Sequence, residues 1–283
     1  MLRTRLWVGA SLIALAVAML VADRPFGPWY PFLFLFFALV GVGATIELLS
    51  LLPFENRPGL PACLAGVLVI ICANWPAHVG SMALGSPLEA IVSVFALAVL
   101  MFFLIEMARF REPGHAVVRV AVGVWVLVYL GILPSFLAQL RWRPDSGESG
   151  FDRGAAAVAM AIFLPKVCDI GAYFSGRLFG RHKITPVLSP KKTAEGFAGG
   201  LLVAVVTALL FNRAYPIVGS DVSAVACGLT LGVAGIYGDL AESLIKRDSG
   251  HKDAGSTVPG FGGVLDVIDS IVFAAPVAYW WLR

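Results

Sequence analysis

The chain has 283 residues, of which 59% are hydrophobic and only 14% are charged. Soluble domains carry about 25% charged residues, so this chain lacks the polar surface that a water-soluble fold needs. The formal net charge of +3 is too small for the basic face of a nucleic-acid-binding protein, and we expect no nucleic-acid partner.

Apolar runs long enough to cross a lipid bilayer follow one another along the chain. We predict about nine transmembrane helices, because the hydrocarbon core forces backbone groups to bond within each segment. The predicted spans are 6–22, 32–52, 60–75, 88–107, 117–138, 154–174, 196–211, 217–245 and 264–282. The predicted fold class is therefore an all-α integral membrane protein.

The distribution of Lys and Arg predicts the orientation of these spans. With nine spans and a cytoplasmic N-terminus, most basic residues fall on the cytoplasmic side, as the positive-inside rule requires. Two basic loops, 177–195 and 246–263, then face the cytoplasm. We expect the protein to lie in a bacterial inner (plasma) membrane with these loops inside the cell.

The chain divides at about residue 153 by the chemistry of its helices. Residues 1–153, with about five spans, are apolar helices joined by simple loops. Residues 154–283, with about four spans and both basic loops, hold nearly all the unusual polar residues. In the first region, Glu47 and Glu106 lie near predicted cytoplasmic helix ends, where a side chain reaching the membrane interface is the favoured interpretation.

Charged residues enter the membrane in the second region. Lys166 and Asp169 are three residues apart and so share one face of a helix. Ionisable groups at such depth are functional candidates by default, although a structural ion pair between helices is the alternative. The two residues therefore indicate either a site or a helix contact.

The first basic loop leads directly into the next predicted helix. Its last residues are Ser189, Lys191, Lys192, Thr193 and Glu195. Backbone amides at a helix start, with two lysines beside them, suit a polyphosphate. Anchoring to anionic lipid headgroups is the alternative for a basic loop beside the membrane.

Two further helices carry acidic residues at helical spacing. Positions i, i+3, i+4 and i+7 of one face are occupied by Asp239, Glu242, Ser243 and Lys246. Positions i, i+3 and i+4 of the next helix are occupied by Asp266, Asp269 and Ser270. The short loop between the helices predicts antiparallel neighbours whose carboxylates face each other.

Carboxylates that face each other in a membrane repel unless a cation lies between them. Mg²⁺ is held by one or two carboxylates together with water and substrate phosphates. Zinc fits less well, since His251 has no Cys or His neighbour at metal-binding spacing. The residues thus predict a magnesium and phosphate site.

Long polar stretches of the chain resemble the phosphatidate cytidylyltransferase family over residues 165–275. The stretches are "DIGAYFSGRLFGRHKITPVLSPKKTAEG" and "GDLAESLIKRDSGHKDAGSTVPGFGGVLDVIDS". The family motif S-x-x-K-R-x4-K-D-x-G is matched by Ser243, Lys246, Arg247, Lys252, Asp253 and Gly255. Residues 259–270 match the motif P-G-x-G-G-x-x-D-x-x-D-S.

The resemblance implies that the protein transfers CMP from CTP to phosphatidic acid, with Mg²⁺, and releases pyrophosphate. The C-terminal region, 154–283, would then be the catalytic module, at the cytoplasmic ends of its helices. Two positions depart from the family pattern: Phe261 stands where the family usually has His, and Val267 where it usually has Arg. These departures leave open a relative with altered substrate or no activity. A polytopic transporter is a further alternative, and a homodimer is compatible with all of these interpretations.

Specific roles follow from the motif positions. Asp239 and Asp266 are the predicted metal ligands, with Asp253 or Asp269 as additions. The predicted phosphate-neutralising groups are Lys191, Lys192, Lys246, Arg247 and Lys252. Ser189 and Ser243 would donate hydrogen bonds to phosphate oxygens. The remaining predicted substrate-binding residues are Asp169, Thr193 and Glu195.

Overall fold

The helices of the protein follow one another with short connections in a computed structural model that describes residues 2–79, 86–143 and 151–283. Their bounds are α1 (Leu2–Ala22), α2 (Pro31–Leu51), α3 (Leu60–Cys72), α4 (Pro76–Val79), α5 (Pro87–Arg109), α6 (Ala116–Leu127), α7 (Leu133–Gln139), α8 (Arg153–Phe179), α9 (Ala194–Ala214), α10 (Asp221–Asp248) and α11 (Val264–Leu282). A π-helical segment, Val128–Ile132, joins α6 to α7. These described residues contain no β-strand, which agrees with the predicted all-α class.

Eight helical segments within the described residues are long and apolar enough to cross a membrane. They are Pro31–Leu51, Leu60–Val79, Pro87–Arg109, Ala116–Trp142, Arg153–Phe179, Ala194–Ala214, Asp221–Asp248 and Val264–Leu282. A shorter apolar segment, Trp7–Ala22, corresponds to the first predicted span. The prediction of a polytopic membrane protein with about nine spans is confirmed.

Two compact units make up the chain. The first comprises Met1–Ser135 and Asp253–Leu265, and the second comprises Phe136–Lys252 and Asp266–Arg283. Helix α11 therefore begins in the first unit and continues in the second. The functional boundary at residue 153 stays a prediction.

In the first unit, polar side chains hold both ends of α2. Asp23 is fully buried and accepts hydrogen bonds from the amides of Phe32 (2.9 Å) and Leu33 (2.6 Å), which satisfies donors that a helix start leaves free. Arg57 donates to the carbonyls of Ser50 (3.2 Å) and Leu52 (2.8 Å) at the other end. The orientation of α2 is fixed by these contacts.

In the second unit, glycines let α8, α9 and α10 pack closely. A Cβ atom added at Gly196 would lie 2.8 Å from the carbonyl oxygen of Ala172, and one at Gly200 would lie 2.7 Å from that of Cys168. On α10, a Cβ atom at Gly228 would lie 2.9 Å from the Cα atom of Val205. Small residues at four-residue spacing are typical of closely packed membrane helices. This packing holds α8 and α10, which carry several of the charged residues described below, close to α9.

Candidate functional site

Charged side chains from α8, α10 and α11, together with Lys192 just before α9, form three ion-paired groups in the second unit, and one carboxylate from each group lies close to the other two. We call the whole set the charged network. It consists of the carboxylates and lysines Lys166, Asp169, Lys192, Asp239, Glu242, Lys246, Asp266 and Asp269. The sequence pattern of α10 accounts for its share, since Asp239, Glu242 and Lys246 lie on one helix face.

Three carboxylates of the network lie close together. One oxygen from each of Asp239, Glu242 and Asp269 lies within 4.8 Å of the other two, and we call these residues the acidic triad. Glu242 is 1% exposed and Asp269 is 7% exposed. The backbones of α10 and α11 approach closely here, because a Cβ atom added at Gly238 would overlap the carbonyl oxygen of Asp269.

Each lysine of the network contacts at least one carboxylate. Lys166 Nζ lies 2.8 Å from Asp269 Oδ1 and 4.0 Å from Asp169 Oδ2. Lys192 Nζ lies 2.9 Å from Asp239 Oδ2. The lysines therefore link neighbouring segments. For Lys166, this means that it both pairs two helices and lies within the candidate site, the two alternatives that the sequence left open.

Lys246 is shared between two carboxylates. Its Nζ atom lies 2.5 Å from Glu242 Oε2 and 2.6 Å from Asp266 Oδ1. Glu242 Oε1 has no hydrogen-bond partner among the described residues, although it is buried. A buried carboxylate oxygen with no donor is costly, so this atom is a candidate ligand for a cation.

The charged network contains more carboxylates than lysines. Five carboxylates stand against three lysines, which leaves a formal excess of two negative charges when all are ionised. All donor atoms of the acidic triad are carboxylate oxygens, the ligands that Mg²⁺ prefers. The donor set, the charge excess and the unsatisfied Glu242 oxygen therefore fit one Mg²⁺ ion.

The predicted phosphate-binding residues before α9 divide into two groups. Lys192 joins the charged network, and Thr193 caps α9 by accepting a hydrogen bond from the amide of Gly196 (3.2 Å). Glu195 instead accepts hydrogen bonds from the amides of Arg181 (3.0 Å) and His182 (3.3 Å). The Glu195 carboxylate thus stabilises the backbone of the loop that precedes α9.

The other sequence-predicted residues lie at the edge of the charged network or outside it. Arg247 donates to the backbone carbonyls of Leu188 (3.4 Å) and His251 (3.2 Å). Ser243 belongs to the edge of the network, with its hydroxyl 3.5 Å from Asp239 Oδ1. The side chains of Lys191, Lys252 and Asp253 are exposed, and that of Ser189 is half-buried.

Glu242 and Lys166 are the network residues for which the sequence analysis predicted no specific role. Glu242 was placed on the polar face of α10, three residues after Asp239, but was not named as a metal ligand. Lys166 was noted for its depth in the membrane, but its closest carboxylate, Asp269, is 103 residues away in the chain. No local pattern indicates that partner.

Phe261, one of the two departures from the family pattern, packs in the first unit. A Cβ atom added at Gly9 on α1 would lie 3.4 Å from the Phe261 ring. The ring is therefore in van der Waals contact with α1 and is 38% exposed. Val267, the other departure, is half-buried on α11.

The fold and the charged network together define a polytopic membrane protein with an acidic cluster that could hold a divalent cation. The model of the cytidylyltransferase family matches residues 3–283. The chain belongs to this family.

Individual relatives agree with this assignment. The phosphatidate cytidylyltransferase of Staphylococcus epidermidis is 30% identical over 247 residues, which are 87% of each chain. That of Bacillus subtilis is 30% identical over 258 residues, 89% of this chain and 88% of the relative. The uncharacterized protein YnbB of Escherichia coli is 36% identical over 159 residues, and this match spans about half of YnbB (51%).

Proposed function

We propose that this protein is a phosphatidate cytidylyltransferase, which makes CDP-diacylglycerol from CTP and phosphatidic acid. The observation that carries the proposal is the charged network, an excess of carboxylates held by lysines on four neighbouring segments of a cytidylyltransferase-family chain. The relatives from Staphylococcus epidermidis and Bacillus subtilis, which match along most of the chain, bear this enzyme name.

The reaction is a nucleotidyl transfer. A phosphate oxygen of phosphatidic acid attacks the α-phosphorus of CTP, and the bond from that phosphorus to the oxygen bridging to the β-phosphorus breaks. The electron pair of the broken bond leaves with pyrophosphate. The attacking phosphate monoester is already anionic at neutral pH, so the transfer depends on positioning and charge stabilisation rather than on a general base.

Cationic side chains at the site would position the phosphates. Lys192 is suited to the triphosphate, because its side chain is 24% exposed and lies just before the start of α9, where the helix dipole favours an anion. Lys246 holds Glu242 and Asp266 in place. Around them, Lys191, Arg247 and Lys252 are exposed and available to incoming phosphate groups.

The acidic triad would hold Mg²⁺, with Asp266 next to it through the shared Lys246. When bound, the ion supplies a Lewis acid that offsets the charge on phosphate oxygens. Lys166 keeps Asp269 in position for this role. Ser243, beside Asp239, and Ser189 would donate hydrogen bonds to phosphate oxygens.

A cytoplasmic orientation of the site suits both substrates. CTP arrives from the cytoplasm, whereas phosphatidic acid stays in the leaflet. The excess of Lys and Arg in the loops that the nine-span topology places inside supports this orientation. We therefore propose a bacterial inner membrane location with the charged network near the cytoplasmic surface.

The direct test is turnover by the purified protein. The full chain in detergent, with phosphatidic acid, CTP and Mg²⁺, should form CDP-diacylglycerol and pyrophosphate in equal amounts. Omission of Mg²⁺ or of phosphatidic acid should stop both products. Absence of turnover with a range of phosphatidic acids would contradict the proposal and favour a relative with altered substrate or no activity.

A further inference from the structure

Glu47, on α2 in the first unit, binds a segment more than two hundred residues away in the chain. Its side chain is buried within the protein and does not extend outward as the sequence suggested, and the residue is 7% exposed. Its carboxylate accepts hydrogen bonds from Thr257 Oγ1 (2.6 Å), the amide of Val264 (2.9 Å) and the amide of Leu265 (2.9 Å). All of these contacts lie within the first unit.

The contact with Val264 and Leu265 caps the start of α11. The first amides of a helix have no partner within the helix, and a negative charge is favourable at that end. Helices α8, α9 and α10 are capped by their own preceding residues, Asp152, Thr193 and Ser220. Helix α11 follows a glycine, which has no side chain to serve as a cap, and Glu47 takes this role.

The chain around Glu47 is shaped to admit the carboxylate. A Cβ atom added at Gly255 would lie 2.9 Å from Glu47 Oε1, and one at Gly263 would overlap the carboxylate. One turn earlier on α2, a Cβ atom added at Gly43 would lie 3.2 Å from the Val264 side chain. Two glycines of the loop and one of α2 thus allow α2 to hold the loop and the first turn of α11.

We infer that Glu47 is a positioning residue for the carboxylates of α11, an inference that rests on the proposed function. The helix passes directly from Leu265, which Glu47 binds, to Asp266 and then to Asp269 of the acidic triad. Because a helix is stiff, fixing its first amides fixes the rotation of these two carboxylates about the helix axis. Glu47 acts through the backbone of α11 and does not touch the substrate.

The test compares Glu47→Gln with Glu106→Gln in the full-length protein. Glu106 is a matched control, because it is also a buried acid of the first unit (6% exposed) but pairs with Arg119. We expect Glu47→Gln to increase hydrogen exchange in peptides covering 255–266, since the new amide group cannot accept from all three donors. Binding of Mn²⁺, measured by electron paramagnetic resonance without nucleotide, should weaken about tenfold to a hundredfold, as for other groups that orient metal ligands.

The control variant should leave exchange in this segment and Mn²⁺ affinity unchanged, even where it lowers thermal stability. Thr257→Val removes a single hydrogen bond to Glu47 and should change hydrogen exchange and Mn²⁺ affinity in the same direction as Glu47→Gln, but by a smaller amount. If Glu47→Gln fails to fold, the Thr257→Val measurements test the inference alone. Mn²⁺ affinity equal to that of the wild type in both Glu47→Gln and Thr257→Val would overturn the inference, as would a wild type that binds no Mn²⁺. Neither readout requires turnover, so a wild type that binds Mn²⁺ but makes no CDP-diacylglycerol would contradict only the proposed function.

Discussion

Glu106 in the first unit and Glu242 in the second are both buried acids on membrane-spanning helices, but their surroundings differ. Glu106 Oε2 receives two contacts from one guanidinium, at 2.8 Å from Arg119 Nε and 2.7 Å from Arg119 Nη2. One negative charge meets one positive charge. Glu242 shares Lys246 with Asp266, and its Oε1 atom has no hydrogen-bond partner among the described residues.

The difference separates a structural ion pair from a ligand site. A balanced pair satisfies its own charge and needs nothing further, whereas an excess of carboxylates favours the binding of a proton or a cation. Burial alone therefore does not mark a functional acid in this protein. The balance of charge around a buried acid distinguishes a ligand from a structural residue. The following predictions test this distinction.

The largest effect is expected from removing a carboxylate that is placed at the metal and phosphate groups. Asp239→Asn and Asp266→Asn should each lower turnover by about a hundredfold or more, because electrostatic contacts to a reacting phosphate carry much of the catalysis. CDP-diacylglycerol formation measures the loss, and circular dichroism checks that the variants fold. Near-normal turnover of Asp239→Asn at low Mg²⁺ would mean that Asp239 is not a ligand, and near-normal turnover of Asp266→Asn would mean that Asp266 has no part in the site.

A smaller but more specific effect is expected at Glu242. Glu242→Gln should raise the Mg²⁺ concentration for half-maximal turnover about tenfold or more, as loss of a metal-site group does elsewhere. Glu106→Gln should lower the thermal unfolding midpoint, because Arg119 loses its partner, with the Mg²⁺ requirement unchanged. Equal shifts of the Mg²⁺ requirement in both variants would remove the distinction between the two acids.

The two departures from the family pattern should have little effect when they are reversed. Phe261→His together with Val267→Arg should leave turnover near or below that of the wild type. The Phe261 ring packs against Gly9, and a new half-buried charge at 267 would need a partner. A gain of about tenfold or more would instead mean that the departures damaged the site, since such a factor equals a full hydrogen bond or ion contact.

Labelling of single cysteines should change no activity but tests the orientation of the site. In a chain without its native cysteines, Val187→Cys and His251→Cys should react with a membrane-impermeant reagent only from the cytoplasmic side. Both positions are exposed in the second unit. Ser81→Cys, outside the described residues, should react from the other side, and labelling of 187 and 251 from opposite sides would contradict the nine-span topology.

The spans and the polar face of α10 could be predicted from the sequence, because both depend on short-range patterns. Runs of apolar residues indicate the helices, and helical spacing places Asp239, Glu242 and Lys246 together. The spacing of Lys166 and Asp169 placed both residues on one face of α8 but did not identify a partner on another helix. In the structure Lys166 lies nearer to Asp269, a choice that depends on how α8 and α11 pack.

The role of Glu47 could not be predicted for the same reason. A single acid in an apolar helix gives no local signal, and its partners lie 210 to 218 residues further along the chain. The motif glycines Gly255 and Gly263 gave only an indirect indication, since a loop rich in glycine can serve many purposes. Contacts between distant segments depend on tertiary packing, which sequence periodicity does not report.

The close approach of α10 and α11 at Gly238 links the lifetime of the protein to its substrates. Close packing at Gly238 holds Asp239 and Asp269 near each other in the folded state, and a cation bound between them would offset their repulsion. A ligand that binds only the folded state stabilises it by mass action, by about 2.7 kcal/mol at a concentration one hundred times its dissociation constant. Starvation for Mg²⁺ or CTP would then shorten the survival of the enzyme in the membrane, so that its abundance follows the supply of the compounds it consumes.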